Sequence, residues 1–512
     1  MSQKFAREEL RKRGQFWTPE WVARAMVSFC QLDLSRRGQP TMQVFDPAFG
    51  TGAFFEAAKQ ISSERGYILE FSGQEIDKSL AGPSSLDQEG ITLTFGDYLG
   101  KIRWQSHPNI AANPPYIRHH RLTVSQKARM RELVAKIIGG RLDGRAGLHV
   151  YFLVKSLAEL MDGGRLAYIL PSDIFEGVYA RGLWRWISKE FRVHAVATFA
   201  PDASPFPGID TNATVVFLSK DRPQSEYVWG RVSKPEDSEF ERWVMRGFVA
   251  DGAIPSQVRK LSDYMDCGLN RERHIDWKNM VPLGSLIRCM RGIATGANDF
   301  FLMTDVERRR RNLPADRFVR VVGRTRDVDG SYLEGHDLNR LDAMGRPTFC
   351  LALPSQSVEE FSKEVRKYIR EGERRGLHKR ALIRQRRPWY KMEVRKPPPF
   401  LFAYLGRRSA RFIRNLCNTR PLTGFLCVYP REQFKGDEML ENLWALLQEK
   451  EVVDNLKLVA KSYGSGAIKV EPRALERTPV PLKLVKRHGL QAHCLSQGRL
   501  ISELPEEYIA AN

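Results

Sequence analysis

Short apolar runs alternate with amphipathic stretches over the first 220 residues of this chain. Met42–Asp46, Ile68–Ser72, Ile91–Thr94, Asn109–Ala112, Arg165–Leu170, His194–Phe199 and Thr214–Leu218 read as strands. Trp21–Gln31, Ala53–Ser62, Val124–Lys136, His149–Met161 and Ala180–Phe191 carry helical spacing between them. Strands and helices of this length in alternation predict an α/β fold, a doubly wound and mostly parallel seven-stranded sheet. The last two runs are joined by a loop rich in Pro, Asp and Gly, Ala200–Asn212, and can pair antiparallel. From residue 221 the texture changes. Asp221–Ser225 and Lys234–Ser238 read as connector sequence. Residues 281–485 mix short strand-like pieces, basic helices and Gly/Pro punctuation, which predicts a second, irregular α+β domain. The expected organisation is a first domain over 1–220, a connector over 221–280, the second domain over 281–485 and a tail over 486–512.

At 512 residues the chain exceeds what one core serves. It has no apolar run of roughly 18 residues, which argues against a membrane span. Met1–Glu8 has no apolar core of a secretory signal. The seven cysteines form no C-x-x-C pair and no cluster at zinc spacing. A cytoplasmic protein without a structural metal is expected. The net charge of +21 is unevenly placed: residues 361–420 hold 19 Lys and Arg against 4 Asp and Glu, a net +15. Trp389, Tyr390, Phe400, Phe402, Tyr404 and Phe412 interleave with that charge. A solvated face is the bland explanation. The density and the aromatics favour a polyanion, which such a surface attracts through counterion release.

The chemistry concentrates at strand ends. Asn113-Pro114-Pro115-Tyr116 follows the run Asn109–Ala112. Neither proline can donate to a ladder, so the strand stops there in a stiff corner. The corner offers an amide side chain, a carbonyl and an aromatic ring, a plausible receptor for a planar group bearing NH2. Upstream, Asp46-Pro47-Ala48-Phe49-Gly50-Thr51-Gly52 passes from strand through a tight loop to a helix. Its glycines allow close approach to a ligand. Phe55 stands where a third glycine would complete a dinucleotide fingerprint, so a cofactor without pyrophosphate fits better. A charged amino group could meet Asp46. Glu75, ending the second strand, could accept ribose hydroxyls, and Asp97, after the third, an adenine amino hydrogen. Each acid taken singly also suits a helix cap or a turn. Three in succession before a prolyl corner are harder to obtain by chance.

This order of motifs resembles the adenine-N6 DNA methyltransferases of restriction-modification systems, in their gamma-type arrangement. Gly14-Gln15-Phe16-Trp17-Thr18-Pro19 is similar to the amino-terminal motif, Asp46–Gly52 to the donor loop, Gly73–Asp77 to the ribose motif, Gly96-Asp97 to the adenine motif and Asn113–Tyr116 to the catalytic motif. Gly163–Ser172 resembles the strand that follows. Gly292–Gly296 and Tyr463–Gly466 look like elements of the family's recognition domains.

The resemblance implies a Rossmann-like class I methyltransferase fold and S-adenosylmethionine held by Thr18, Asp46, Ala48, Gly50, Glu75 and Asp97. It also implies a flipped adenine in double-stranded DNA. Asn113 and the Pro114 carbonyl would take the amino group, and Tyr116 would stack on the ring with Phe206 on its flank. Phe206 serves equally as a buried loop anchor, and Thr18 as a helix cap before Pro19. The donor motifs begin by residue 14, so a stand-alone modification enzyme is expected, with any cognate endonuclease a separate protein. Protein-glutamine and RNA methyltransferases share the prolyl corner and are the alternatives.

Overall fold

The computed structural model describes residues 17–490 except 33–40, 81–89, 143–144, 176–178, 207–211, 236, 251–253, 266–267, 272–274, 276, 394, 404–409, 460 and 463–467. Gly14–Phe16, Pro207, Tyr404, Tyr463–Gly466 and the tail beyond residue 490 therefore lie outside the described residues. The chain divides into two compact units between His274 and Ile275.

The first unit is built on β1 (Thr41–Asp46), β2 (Ile68–Glu75), β3 (Ile91–Phe95), β4 (His107–Ala112), β5 (Leu160–Pro171), β6 (Arg192–Phe199), β7 (Ala213–Ser219), β8 (Glu226–Val232) and β9 (Ser256–Lys260). They form one sheet in the order β3-β2-β1-β4-β5-β7-β6-β8-β9. The first five of that order are parallel, and β7 runs antiparallel to both β5 and β6. The sheet thus has nine strands where the sequence pattern predicts seven. The additions are β8, parallel to β6, and β9, antiparallel to β8. Both lie in the span read as a connector. The signal in β8 is short, carried by the buried Tyr227 and Trp229, and the polar punctuation around it hid the strand.

The helices are α1 (Glu20–Cys30), α2 (Ala53–Arg65), α3 (Val124–Ile138), α4 (Leu148–Glu159), α5 (Ala180–Glu190) and α6 (Asp237–Met245). Two apolar layers result. One gathers α1, α2 and α6 with Phe29, Phe55, Phe71, Phe217 and Trp243. The other gathers α3, α4 and α5 with Val150, Leu153, Tyr168 and Trp184. A capping box at Thr123 and Gln126 starts α3, and Gly139 in the left-handed region stops it. α4 gives way to β5 at Leu160, earlier than the pattern places either boundary. Gly164 permits this early start: a Cβ there would lie 2.5 Å from the Pro108 carbonyl oxygen and 2.8 Å from that of Met161.

The second unit holds a five-stranded sheet in the order Ile287–Arg291, Phe425–Pro430, Phe400–Ala403, Arg411–Asn415, Tyr332–Leu333. A four-stranded sheet runs Leu302–Met303, Phe349–Leu351, Phe318–Val322, Arg420–Pro421. The segment Gly292–Gly296 is held close to its neighbours. A Cβ on Gly292 would meet the Leu422 carbonyl oxygen at 2.2 Å. Arg386 donates to the carbonyls of Ala294 (2.6 Å) and Thr295 (2.9 Å), and Arg380 to that of Gly296 (3.3 Å). Among the described residues, no helix is long and apolar enough to cross a membrane.

Candidate active site

In the first unit the strand order reverses beside β1, where the chain passes first outward to β2 and β3 and then back to β4. Ligands of open α/β sheets bind at the carboxyl ends of the strands at such a switch point. Asp46 ends β1, Glu75 ends β2, Asp97 lies two residues past β3 and Asn113 follows β4. All four line one cavity of about 290 Å³, together with Thr18, Ala48 and Gly50. Pro114 is buried between two residues of the wall, Asn113 and Pro115. Tyr116 and Phe206 are not among the lining residues.

The loop Pro47–Gly52 follows from its glycines. Gly50 (φ 56°) and Gly52 (φ 87°) are in the left-handed region, and Gly52 is the residue from which α2 starts. The Asp46 carboxylate sits 1% exposed at the foot of this loop. Its Oδ1 accepts the Ala48 N–H at 2.9 Å, and its Oδ2 is buried with no hydrogen-bond partner among the described residues. Burial pushes its pKa up to about 8, against the pull of the Ala48 amide and with help from the Glu75 charge. A buried acceptor left open in a cavity marks where a ligand's positive or donating group belongs. Glu75 is engaged differently. Its Oε1 accepts the amides of Ile76 (2.8 Å) and Asp77 (2.9 Å), and its Oε2 that of Gly50 (2.8 Å). The carboxylate ties the donor loop to the end of β2.

Asp97 accepts the Leu99 amide at 3.0 Å and pairs with Arg129 of α3. Arg129 escaped the sequence reading. Gln126, Arg129 and Met130 share one helix face, a visible pattern, but nothing in the sequence says which strand end that face meets. All three line the cavity, as do Trp17, Phe49, Ile76, Leu99 and Phe152, which supply its apolar walls.

Asn113 donates through Nδ2 to Thr18 Oγ1 at 3.1 Å. Thr18 is not the cap of α1: Pro19 occupies that position and no side chain caps the helix. The Thr18 hydroxyl instead takes the donor end of the Asn113 amide. The Tyr116 hydroxyl donates to the Ile169 carbonyl at 3.1 Å. Burial holds its pKa well above the ordinary value. The Tyr116 ring meets Phe206 edge-on at 6.2 Å, and Phe206 is buried in the apolar layer on the α1 side. His149, also unflagged by the sequence pattern, meets the same ring at 6.0 Å.

Residues 1–238 match the family described as N-6 DNA Methylase, and residues 272–503 match that of the Type II methyltransferase M.Eco57I C-terminal domain. Type II methyltransferase M.AccI of Acinetobacter calcoaceticus is 24% identical over 490 residues, covering 93% of this chain and 86% of that protein. Type II methyltransferase M.XamI of Xanthomonas campestris pv. amaranthicola is 24% identical over 487 residues, covering 92% and 85%. Among solved structures, the Type IIL restriction-modification enzyme MmeI in complex with DNA shares the fold. Its TM-score is 0.54 at 16% identity, over 85% of this chain and 62% of that one.

The raised pKa of Asp46 sets a pH dependence. Its folded value of about 8 lies above the unfolded 3.8, so folding favours the protonated form. The stability it contributes is complete below pH 3.8 and is lost as the pH rises through 8. Asp46→Asn keeps an acceptor for Ala48 without the charge. The variant is expected to melt above the wild type at pH 9, and the gap should close toward pH 4. Thermal unfolding of the ligand-free protein across that range checks it; a gap independent of pH contradicts it.

Proposed function

We propose that this chain, an adenine-specific DNA methyltransferase whose residues 1–238 match the N-6 DNA methylase family, moves a methyl group from S-adenosylmethionine to N6 of an adenine flipped out of double-stranded DNA. The observation that carries this reading is the gathering of three strand-end acids and Asn113 on one cavity, with Asp46 Oδ2 buried and open.

The residues fit the cofactor. Asp46 faces its ammonium end. Glu75 has three of its roughly four acceptor sites taken by amides, which leaves about one for a ribose hydroxyl. Asp97 accepts the adenine amino hydrogen. Trp17, Ile76 and Phe152 give the purine an apolar bed. Bound S-adenosylmethionine supplies a sulfonium methyl electrophilic enough that the site needs no ionisable base.

The target nitrogen is a poor nucleophile because its lone pair is delocalised into the ring. Asn113 Oδ1 and the Pro114 carbonyl accept its two hydrogens and draw its geometry toward tetrahedral. This is positioning and electrostatic stabilisation. Flipping the base costs a few kcal/mol, and stacking on Tyr116 returns roughly 1–3 kcal/mol. Phe206 backs the Tyr116 ring edge-on.

The second unit supplies DNA affinity. Its family match over 272–503 and the charge of residues 361–420 favour DNA over the glutamine and RNA alternatives. An open groove of about 680 Å³ in this unit is lined by His378, Arg384, Gln385, Arg387 and Trp389, among others. Host DNA protected at one recognised sequence, with any cognate endonuclease a separate protein, completes the proposal.

Three experiments test it. Asn113→Ala should lower kcat by about 10²–10³-fold while keeping cofactor and DNA affinity, since its acceptor matters mainly as the bond forms; single-turnover kinetics with near-normal transfer would refute the role. The exposed Arg384 and Lys391, changed singly to Ala, should weaken binding alike across DNA sequences and each lower the slope of log K against log salt by about one. Titrations at three salt concentrations measure this. Duplex DNA carrying the methylated sequence's unmodified form should stay intact when incubated with the pure chain and Mg2+; cleavage would remove the separate endonuclease from the scheme.

A further inference from the structure

Beneath the cavity lies a polar network that the proposed chemistry does not use. Lys155 and Glu159, four residues apart on α4, are 2% and 1% exposed and form an ion pair. Glu159 Oε1 also accepts the Arg103 amide at 2.7 Å, and Oε2 accepts the Tyr98 hydroxyl at 2.7 Å. The Tyr98 oxygen lies 2.9 Å from Ser156 Oγ, which in turn meets the Tyr168 hydroxyl. The Lys155 ammonium sits over the Tyr98 ring, 3.9 Å from its centre.

Counting protons gives the chain a direction. Burial holds the hydroxyls of Tyr98 and Tyr168 neutral, well above their ordinary pKa. Tyr98 spends its one hydrogen on Glu159, so Ser156 donates to Tyr98 and Tyr168 donates to Ser156. All three bonds point toward the Glu159 carboxylate and polarise one another.

The two tyrosines of this chain stand at the two halves of the site. Tyr98 lines the cavity and directly follows Asp97. Its ring packs on Phe152, another wall residue, at 5.2 Å. Tyr168 on β5 is in register with Ala112, the residue before Asn113. A buried Lys–Glu pair is a poor way to gain stability, because apolar residues of similar volume usually do as well or better. Its geometry, however, fixes one position for the Asp97–Leu99 loop relative to the catalytic strand, where an apolar filling would allow several.

We propose that Glu159, with Lys155, Ser156 and Tyr168, acts as a positioning cluster that works through Tyr98 to hold the Asp97–Leu99 loop against the purine end of the cofactor cavity. The inference rests on the assignment of that cavity to S-adenosylmethionine.

The test is calorimetric titration of the full chain with S-adenosylmethionine and with its demethylated product, beside duplex DNA binding, kcat and thermal melting. Tyr98→Phe removes one hydroxyl and keeps the ring. It should raise the dissociation constant of both cofactor forms about five- to tenfold, the loss of one charge-assisted hydrogen bond, and leave DNA affinity within about twofold, with kcat at saturating cofactor falling by less than cofactor affinity does. The double variant Lys155→Met/Glu159→Leu removes both charges together, so that neither is left alone in the core, and should show the same cofactor defect in a folded protein, with any fall in melting temperature due to the Arg103 amide and Tyr98 hydroxyl that lose their acceptor. A lowered melting temperature with unchanged cofactor affinity in Tyr98→Phe, or wild-type affinity in the folded double variant, overturns the positioning role alone. Failure of the wild-type protein to bind either cofactor form overturns the cavity assignment and this inference with it.

Discussion

The site depends on two parallel strands that share little register and then part. β1 and β4 are in register at Phe45 and Ile110, after which β1 turns into the glycine loop and β4 into the prolyl corner. Asp46 is thereby placed in an apolar layer with one oxygen unmet, and Asn113 is placed where Thr18 can take one end of its amide. The neighbouring elements complete that opening. β2 and β3 extend it on one side and bring Glu75 and Asp97. α3 and α4 wall it on the other with Gln126, Arg129, Leu148 and Phe152.

The polar groups around the opening fall into two kinds. Glu75 is spent largely on the protein itself, since three backbone amides fill most of its acceptor capacity and lock the glycine loop to the second strand. Asp46 is spent on almost nothing within the chain, and burial raises its pKa accordingly. Both acids end neighbouring parallel strands and hydrogen-bond amides of the same loop. A carboxylate wrapped in amides is a structural brace that can lend one lone pair to a ligand. A carboxylate buried with an unmet oxygen is strained toward protonation, and a cationic ligand relieves that strain.

Much of this was legible in the chain. The seven apolar runs of residues 1–220 became strands close to where periodicity put them, because buried parallel strands are nearly continuous in their apolar character. The strand-end residues were legible for the same reason: once a strand end is placed, its last acid or amide is placed with it. What the sequence hid were relations across elements. Thr18 reads locally as a cap, and only the meeting of α1 with the β4 corner turns it into a partner for Asn113. Arg129 lies on an ordinary amphipathic helix until α3 is seen over Asp97. Nothing in the sequence marks Lys155 and Glu159 as buried, since charged residues rarely are. β8 and β9 were lost because a short edge addition between turn-rich segments carries too few alternations to stand out.

The basic stretch of the second unit shows how far a charge count can be trusted. Arg386 and Arg380 clamp the carbonyls of Ala294, Thr295 and Gly296. Arg395 reaches the Arg291 carbonyl, Arg411 those of Val328 and Gly330, and Arg414 pairs with Glu441. Guanidinium groups do this well because their planar fork satisfies several carbonyls of irregular backbone at once. A domain with short strands and long connections has many such carbonyls outside any ladder, and arginine is an efficient way to pair them. Part of the +15 between residues 361 and 420 is therefore internal scaffolding. Scaffolding arginines still carry their charge, and a phosphate backbone responds to the field as well as to contact. The same residues can thus hold an irregular fold together and raise the potential around them, while Arg384 and Lys391 stand exposed to solvent.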